Sequence, residues 1–189
     1  MDVTTCCYPI INGVLPRDCH NSRGEQGMCV VGAINNYTDQ LYTYGDSPKS
    51  SSYNLTESLM FLAHFVGDVH QPLHVGYEED EGGNTITVHW YRRKANLHHE
   101  GWSDDVAHWE NCANKKATCA NDYAIESISL SCNYAYKDVV QNITLGDDYY
   151  FTRYPVVEKR LAQAGVRLAL ILNRIFDKKE ADTMPLYVQ

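Results

Sequence analysis

The side chains able to do chemistry crowd between residues 64 and 99: His64, Asp68, His70, His74, the loop Asp80-Glu81-Gly82-Gly83-Asn84, and the pair His98-His99. His64 and Asp68 stand four apart, so on a helix they project from one face, one turn from each other. An imidazole and a carboxylate so placed can share or bridge zinc ions. His74 follows Pro72, where the chain can turn back toward that face. His98 follows a strand from which a loop can return to it. Taken singly, each has a plainer reading. His64 reads as a core or capping histidine, Gly82-Gly83 as a turn, and His89 as a solvent-exposed strand residue. His70 lies off the His64–Asp68 face and reads as structural or as a support behind the ligands. The joint spacing of His64, Asp68, His74 and His98 favours a metal site. Asp68 near a helix C-terminus also opposes the macrodipole, which points to function. In the acidic loop the glycines permit close backbone approach, and the Asn84 amide can both donate and accept.

Helices must position these groups. Val30, Ala33, Ile34, Tyr37 and Leu41 recur at helical spacing and predict a helix from Gln26 to about Tyr42. Asn54, with Glu57 three residues later, predicts an N-cap and a helix running to near Gln71. Its apolar positions are Leu59, Leu62, Phe65, Val66 and Val69. Residues 85–91 alternate, with Ile86, Val88 and Trp90 on one face, and predict half of a hairpin. Residues 102–110 and 121–138 pattern more weakly as helix. A last helix is expected with Pro155 at its start and a stripe of Val157, Leu161, Ala164, Leu168, Ile171, Leu172 and Ile175. The expected fold class is mainly α with a small β-hairpin, in one domain over residues 1–189.

Composition narrows the function. The formal net charge is −8, which argues against holding nucleic acid mainly by neutralising phosphates. It leaves room for a nuclease whose metal ions supply local positive charge. No apolar run approaches the ~20 residues of a membrane span. The seven cysteines contain no C-x-x-C pair, so disulfides in an oxidising compartment fit better than a cysteine zinc knuckle. Sequons at Asn36, Asn54 and Asn142 predict glycosylation and the same compartment. The opening MDVTTCCYPI has no signal-peptide pattern. A start further upstream, or a processed or mispredicted product, is therefore expected.

HFVGDVHQPLHVG (64–76), DEGGN (80–84) and NLHH (96–99) resemble the signature of the zinc-dependent plant nuclease I and fungal S1/P1 nuclease family. MCVVGAINNYTDQL (28–41), WSDDVAHW (102–109) and residues 147–176 resemble its plant branch. The resemblance implies a helical, phospholipase C-like fold with a cluster of three zinc ions. It implies hydrolysis of phosphodiester bonds in single-stranded RNA and DNA to 5′-phosphorylated products. It further implies that His64 ligates one zinc of a close pair, that Asp68 bridges the pair, and that His74 and His98 ligate the more separate zinc. Asn84, beside Gly83, would read a base edge. A secreted or endomembrane (vacuolar) monomer, with no membrane association, is implied.

The chain also departs from that pattern. The family's opening Trp and early Asp, His and Arg residues have no counterpart before Asp18. Trp102 stands where the family has an Asp four after the ligand His, and NLHH runs directly into WSDDV. A domain truncated at its N-terminus and internally deleted is expected, with four assignable ligands, unassigned catalytic residues and little nuclease activity. Asp104 or Asp105 lies near enough in sequence to stand in for the missing Asp. The competing readings are a catalytically dead secreted paralogue and a zinc phospholipase C-like hydrolase. The GGN loop and the His74-to-His98 spacing favour the nuclease over the latter.

Overall fold

The computed structural model describes residues 19–45, 52–77, 79–90, 93–97 and 118–183. His98, Asp104, Asp105 and the weak helical pattern at 102–110 lie outside the described residues. Helix α1 spans Val30–Leu41 and begins at Cys29, whose sulfur accepts from the Gly32 N–H. A disulfide joins Cys29 to Cys19 across the loop before the helix. Gly32 is needed there: a Cβ at this position would stand 1.8 Å from the Gly27 carbonyl oxygen. Cys119 and Cys132 are disulfide-bonded as well.

Helix α2 spans Leu55–His70, and the Asn54 side chain accepts from the Glu57 N–H as the capping pattern predicts. Leu62, Val66 and Val69 are fully buried, whereas Leu59 is exposed. The helix ends at Gln71, whose backbone is extended, as the residue before a proline prefers. A single 3-10 turn, Pro72–Val75, follows at once.

Strand β1 (Thr87–Trp90) and β2 (Arg93–Asn96) form the expected hairpin, with Val88 opposite Ala95. A third strand, β3 (Thr144–Leu145), lies parallel to β1 and makes the order β2-β1-β3. Val88 is buried, and His89 is half-buried rather than free in solvent. Helix α3 (Ala120–Leu130) passes into one wider turn, Ser131–Ala135. Its pattern is weak because it buries Ala120, Tyr123, Ala124 and Ser127, small or polar residues that periodicity does not weigh as core.

The last helix corrects two expectations. Helix α4 spans Asp147–Thr183, so Pro155 lies inside it and not at its start. Asp147 and Asp148 occupy the first turn, where carboxylates suit the positive end of the dipole. Pro155 and Phe151, whose carbonyl loses its partner, are both exposed, so water can replace the missing bond. The buried face is also rotated. Leu161 is 69% exposed, and Leu168 is half-buried against the core. The buried row is Arg160, Gln163, Arg167, Ile171 and Ile175.

Two apolar clusters result. The larger takes Ile34 and Leu41 from α1, Leu62, Val66 and Val69 from α2, Tyr123 and Ala124 from α3, and Ile171 and Ile175 from α4. The smaller packs Leu73 of the 3-10 turn against Val88, Leu97, Tyr136, Val139, Leu145 and Tyr149. The α2-to-turn junction therefore has one cluster behind it and the other beneath it.

Candidate metal centre

Asp68 and His64 meet on one face of α2, with His64 Nε2 3.1 Å from Asp68 Oδ2. The 3-10 turn brings His74 back to the same carboxylate, with Nδ1 3.1 Å from Oδ1. Local bonds fix that return. The Gln71 side chain accepts from the Leu73 N–H, Pro72 supplies the first turn position, and the His74 N–H donates to the Gln71 carbonyl at 3.0 Å. Asp68 and His74 line an open cavity of about 1210 Å³, together with Tyr37, Phe65, Glu81 and Gly82. The His64 side chain is 66% exposed and is not part of that lining.

Each carboxylate oxygen faces a different imidazole. The arrangement is thus two nitrogen–oxygen pairs sharing one carboxylate, which suits bridging more than chelation. Accordingly, among the described residues no three His, Cys, Asp or Glu side chains form a group that could hold one metal ion. The 3.1 Å separations are close to the roughly 3.3 Å that two ligand atoms span across a tetrahedral zinc. The donors fit the metal chemically and leave its other ligands to be supplied from elsewhere. His98, the fourth ligand expected from sequence, is outside the described residues.

The acidic loop is held by its first residue. Glu81, Gly82 and Gly83 all have positive φ, at 53°, 65° and 82°, a run that the glycines tolerate and that strains Glu81. Asp80 is buried and accepts from the Gly83 N–H at 2.8 Å and from the Tyr136 hydroxyl at 2.9 Å. Burial, and then the Asp80 carboxylate, push the Tyr136 phenol well above its ordinary value. Asn84 donates its amide to the Glu81 carbonyl at 2.8 Å.

Behind α2 lies a polar cluster that the sequence reading missed. His70 is buried, with Nδ1 2.6 Å from the Val66 carbonyl and Nε2 2.9 Å from Arg167 Nη1. Arg160 Nε donates to the His70 carbonyl at 3.0 Å, and its Nη1 donates to Glu126 at 2.8 Å and to Gln163 at 2.6 Å. Arg167 holds both Glu126 oxygens, at 2.7 and 2.8 Å. Ser127 donates to the Val69 carbonyl and accepts from Arg160. Burial, and then Arg160, lower the His70 pKa to about 3, so the ring is neutral at ordinary pH. Burial alone would raise the Glu126 carboxyl, but Arg167 and Arg160 outweigh it and leave the group below its ordinary value. Burial pulls Arg160 down to about 10, still charged at neutral pH. The available signal was Arg160, Gln163 and Arg167 at i, i+3 and i+7, a polar row on one face of a long helix.

The three sequons fall on exposed residues. Asn36 is on α1 and lines the cavity, Asn54 caps α2, and Asn142 sits in a turn with φ 65°. Among the described residues no helix is long and apolar enough to cross a membrane.

Comparison with known proteins agrees with these motifs. The S1/P1 nuclease profile matches residues 8–102 and 99–177, two pieces that meet at the NLHH–WSDDV junction. The chain is 50% identical to Endonuclease 4 of Arabidopsis thaliana over 86% of its own length and 65% of that protein's. It is 50% identical to Endonuclease 2 of the same plant, over 85% of the chain and 66% of the relative. Nuclease S1 of Aspergillus oryzae is 29% identical over 84% of the chain and 64% of the relative. The chain thus spans slightly less than two thirds of the length of these curated relatives. With its motifs, its mainly α architecture and a profile match over most of its length, the chain belongs to the S1/P1 nuclease family.

Proposed function

We propose that the protein is a zinc-dependent endonuclease that hydrolyses phosphodiester bonds of single-stranded RNA and DNA and leaves 5′-phosphorylated ends. The observation that carries this reading is the Asp68 carboxylate held between His64 and His74 beside an open cavity. Relatives named as endonucleases and nucleases support it. Bound zinc would supply the Lewis-acid charge that phosphoryl transfer needs. His64 with one Asp68 oxygen, and His74 with the other, would supply its donors, with His98 as a further donor. Tyr37 and Phe65, stacked 5.9 Å apart in the cavity wall, offer an apolar surface beside the charged centre. Glu81 and Gly82 line the cavity, and the substrate-binding candidates Gly83 and Asn84 follow them directly in the chain.

A secreted or endomembrane glycoprotein is the setting that the sequons and the Cys19–Cys29 bridge support. A glycan on Asn36 would stand at the cavity itself.

The test is cation uptake first and turnover second. Zinc titrated into the purified chain should bind, with affinity strongly reduced in Asp68→Ala. Any cleavage of a single-stranded oligonucleotide should vanish with a chelator and in the same variant. Turnover is expected to be low, because catalytic zinc ordinarily keeps three protein ligands and the described donors supply two to each side of Asp68 at most. Equal zinc affinity in the wild type and Asp68→Ala would overturn the reading.

A further inference from the structure

We infer that Arg160, with Ser127, is a positioning residue for the His64–Asp68–His74 centre. It acts by capping the C-terminal carbonyls of α2 and so fixing the junction that sends His74 back to Asp68. The inference rests on the proposed metal reading and deepens it.

The final carbonyls of a helix lack intrahelical partners. On α2 two of them are taken by this cluster: Arg160 Nε donates to the His70 carbonyl, and Ser127 Oγ donates to the Val69 carbonyl. Arg160 and Ser127 also bond each other. Arg160 is 3% and Ser127 0% exposed, so little water can replace these bonds. Glu126 and Gln163 hold the guanidinium in place. Immediately beyond the capped carbonyls come Gln71, whose N–H returns to the Asp68 carbonyl at 3.0 Å, and the turn that carries His74. A junction that slackened would move His74 while leaving Asp68 and His64 on the helix.

Charge supports the same role. Arg160 and Arg167 are both buried and both pair with Glu126. Their guanidinium groups stand at the negative end of α2, where positive charge is favourable. An anionic Asp68 in the last turn opposes the dipole, and the guanidinium at the helix end offsets that cost.

The experiment compares Arg160→Met, Arg160→Lys, Ser127→Ala and Ile171→Val in the full chain, each confirmed folded by circular dichroism. Two quantities are read: amide hydrogen exchange at Gln71, His74 and Gly76, and cobalt(II) affinity by optical titration. Arg160→Met should speed exchange at those three amides and lower cobalt affinity about 10–100-fold, the usual range for a residue supporting a ligand. Arg160→Lys, which can still donate to the His70 carbonyl, should recover part of both. Ile171→Val weakens the core without touching the junction and should change neither. If Arg160→Met does not fold, Ser127→Ala carries the test with the same expected signs. Unchanged exchange at the junction in folded Arg160 and Ser127 variants overturns the inference. So does acceleration spread evenly over all helices. If the wild type takes up no cobalt, the metal reading fails separately, and junction exchange alone decides the positioning role.

Discussion

The tautomer of His70 is decided by its neighbours. A guanidinium can only donate, so Nε2 must accept from Arg167 and Nδ1 must carry the proton given to the Val66 carbonyl. Protonating Nε2 would place a second cation against Arg167. This has a consequence for acid stability. The pKa in the folded state, about 3, lies below the ordinary 6.5, so the unfolded chain binds more protons between these values. The contribution is fully present above pH 6.5 and is lost as pH falls through that window, with a slope of at most about 1.4 kcal/mol per pH unit. Denaturant melts at pH 7 and pH 5 should show the loss, and His70→Gln should flatten it; an unchanged slope in that variant would place the acid sensitivity elsewhere. At the metal candidates the expectation is asymmetric. His64→Ala and His74→Ala each remove a nitrogen from one side of Asp68, whereas Asp68→Asn weakens both sides. Calorimetric zinc titrations should therefore rank Asp68→Asn as the most damaging of the three.

Among the elements, α4 shows how one helix can be apolar at one end of its buried face and ionic at the other. Ile171 and Ile175 pack in the main core, while Arg160, Gln163 and Arg167 meet α2 and α3. Ile171→Ala should cost about 2–5 kcal/mol as a fully buried truncation. Leu161→Ala, at an exposed site, should stay within about 0.5 kcal/mol. Equal losses in thermal melts would mean that the buried face is not the one described. Pro155→Ala should stabilise the protein by about 1–3 kcal/mol. It restores a helix donor where proline is the poorest residue, and part of that gain is offset by a freer unfolded chain. A lower melting temperature in Pro155→Ala would show that the ring makes a contact worth more than the missing bond.

For the molecule as a whole, charge sets the terms on which it can meet a polyanion. A net charge of −8 opposes non-specific binding driven by counterion release. Binding of a fluorescent single-stranded oligonucleotide should be negligible in chelator at any salt concentration. It should appear when zinc is added, with a shallow salt dependence. Tight metal-free binding that weakens steeply with salt would point to a basic surface and a different mode of recognition.

Local features could be read from the order of the amino acids. Asn54 with Glu57 capped α2, the alternation around Val88 made a strand, and the His64–Asp68 spacing put both groups on one helix face, because each signal acts within a turn or a pleat. The loop of Gly82 and Gly83 was legible for the same reason. Tertiary structure alone decided the rest. Strand β1 acquired β3 from more than fifty residues further along the chain. Leu161 was turned outward and Arg160 inward, because a burial stripe on α4 is set by what α2 and α3 present to it, and they present the Val69 and His70 carbonyls and Glu126. His74 could be suspected from Pro72, but its contact with Asp68 depends on the angle at which α2 ends. Long-range hydrogen bonds to the backbone set that angle, and the periodicity of side chains carries no record of them.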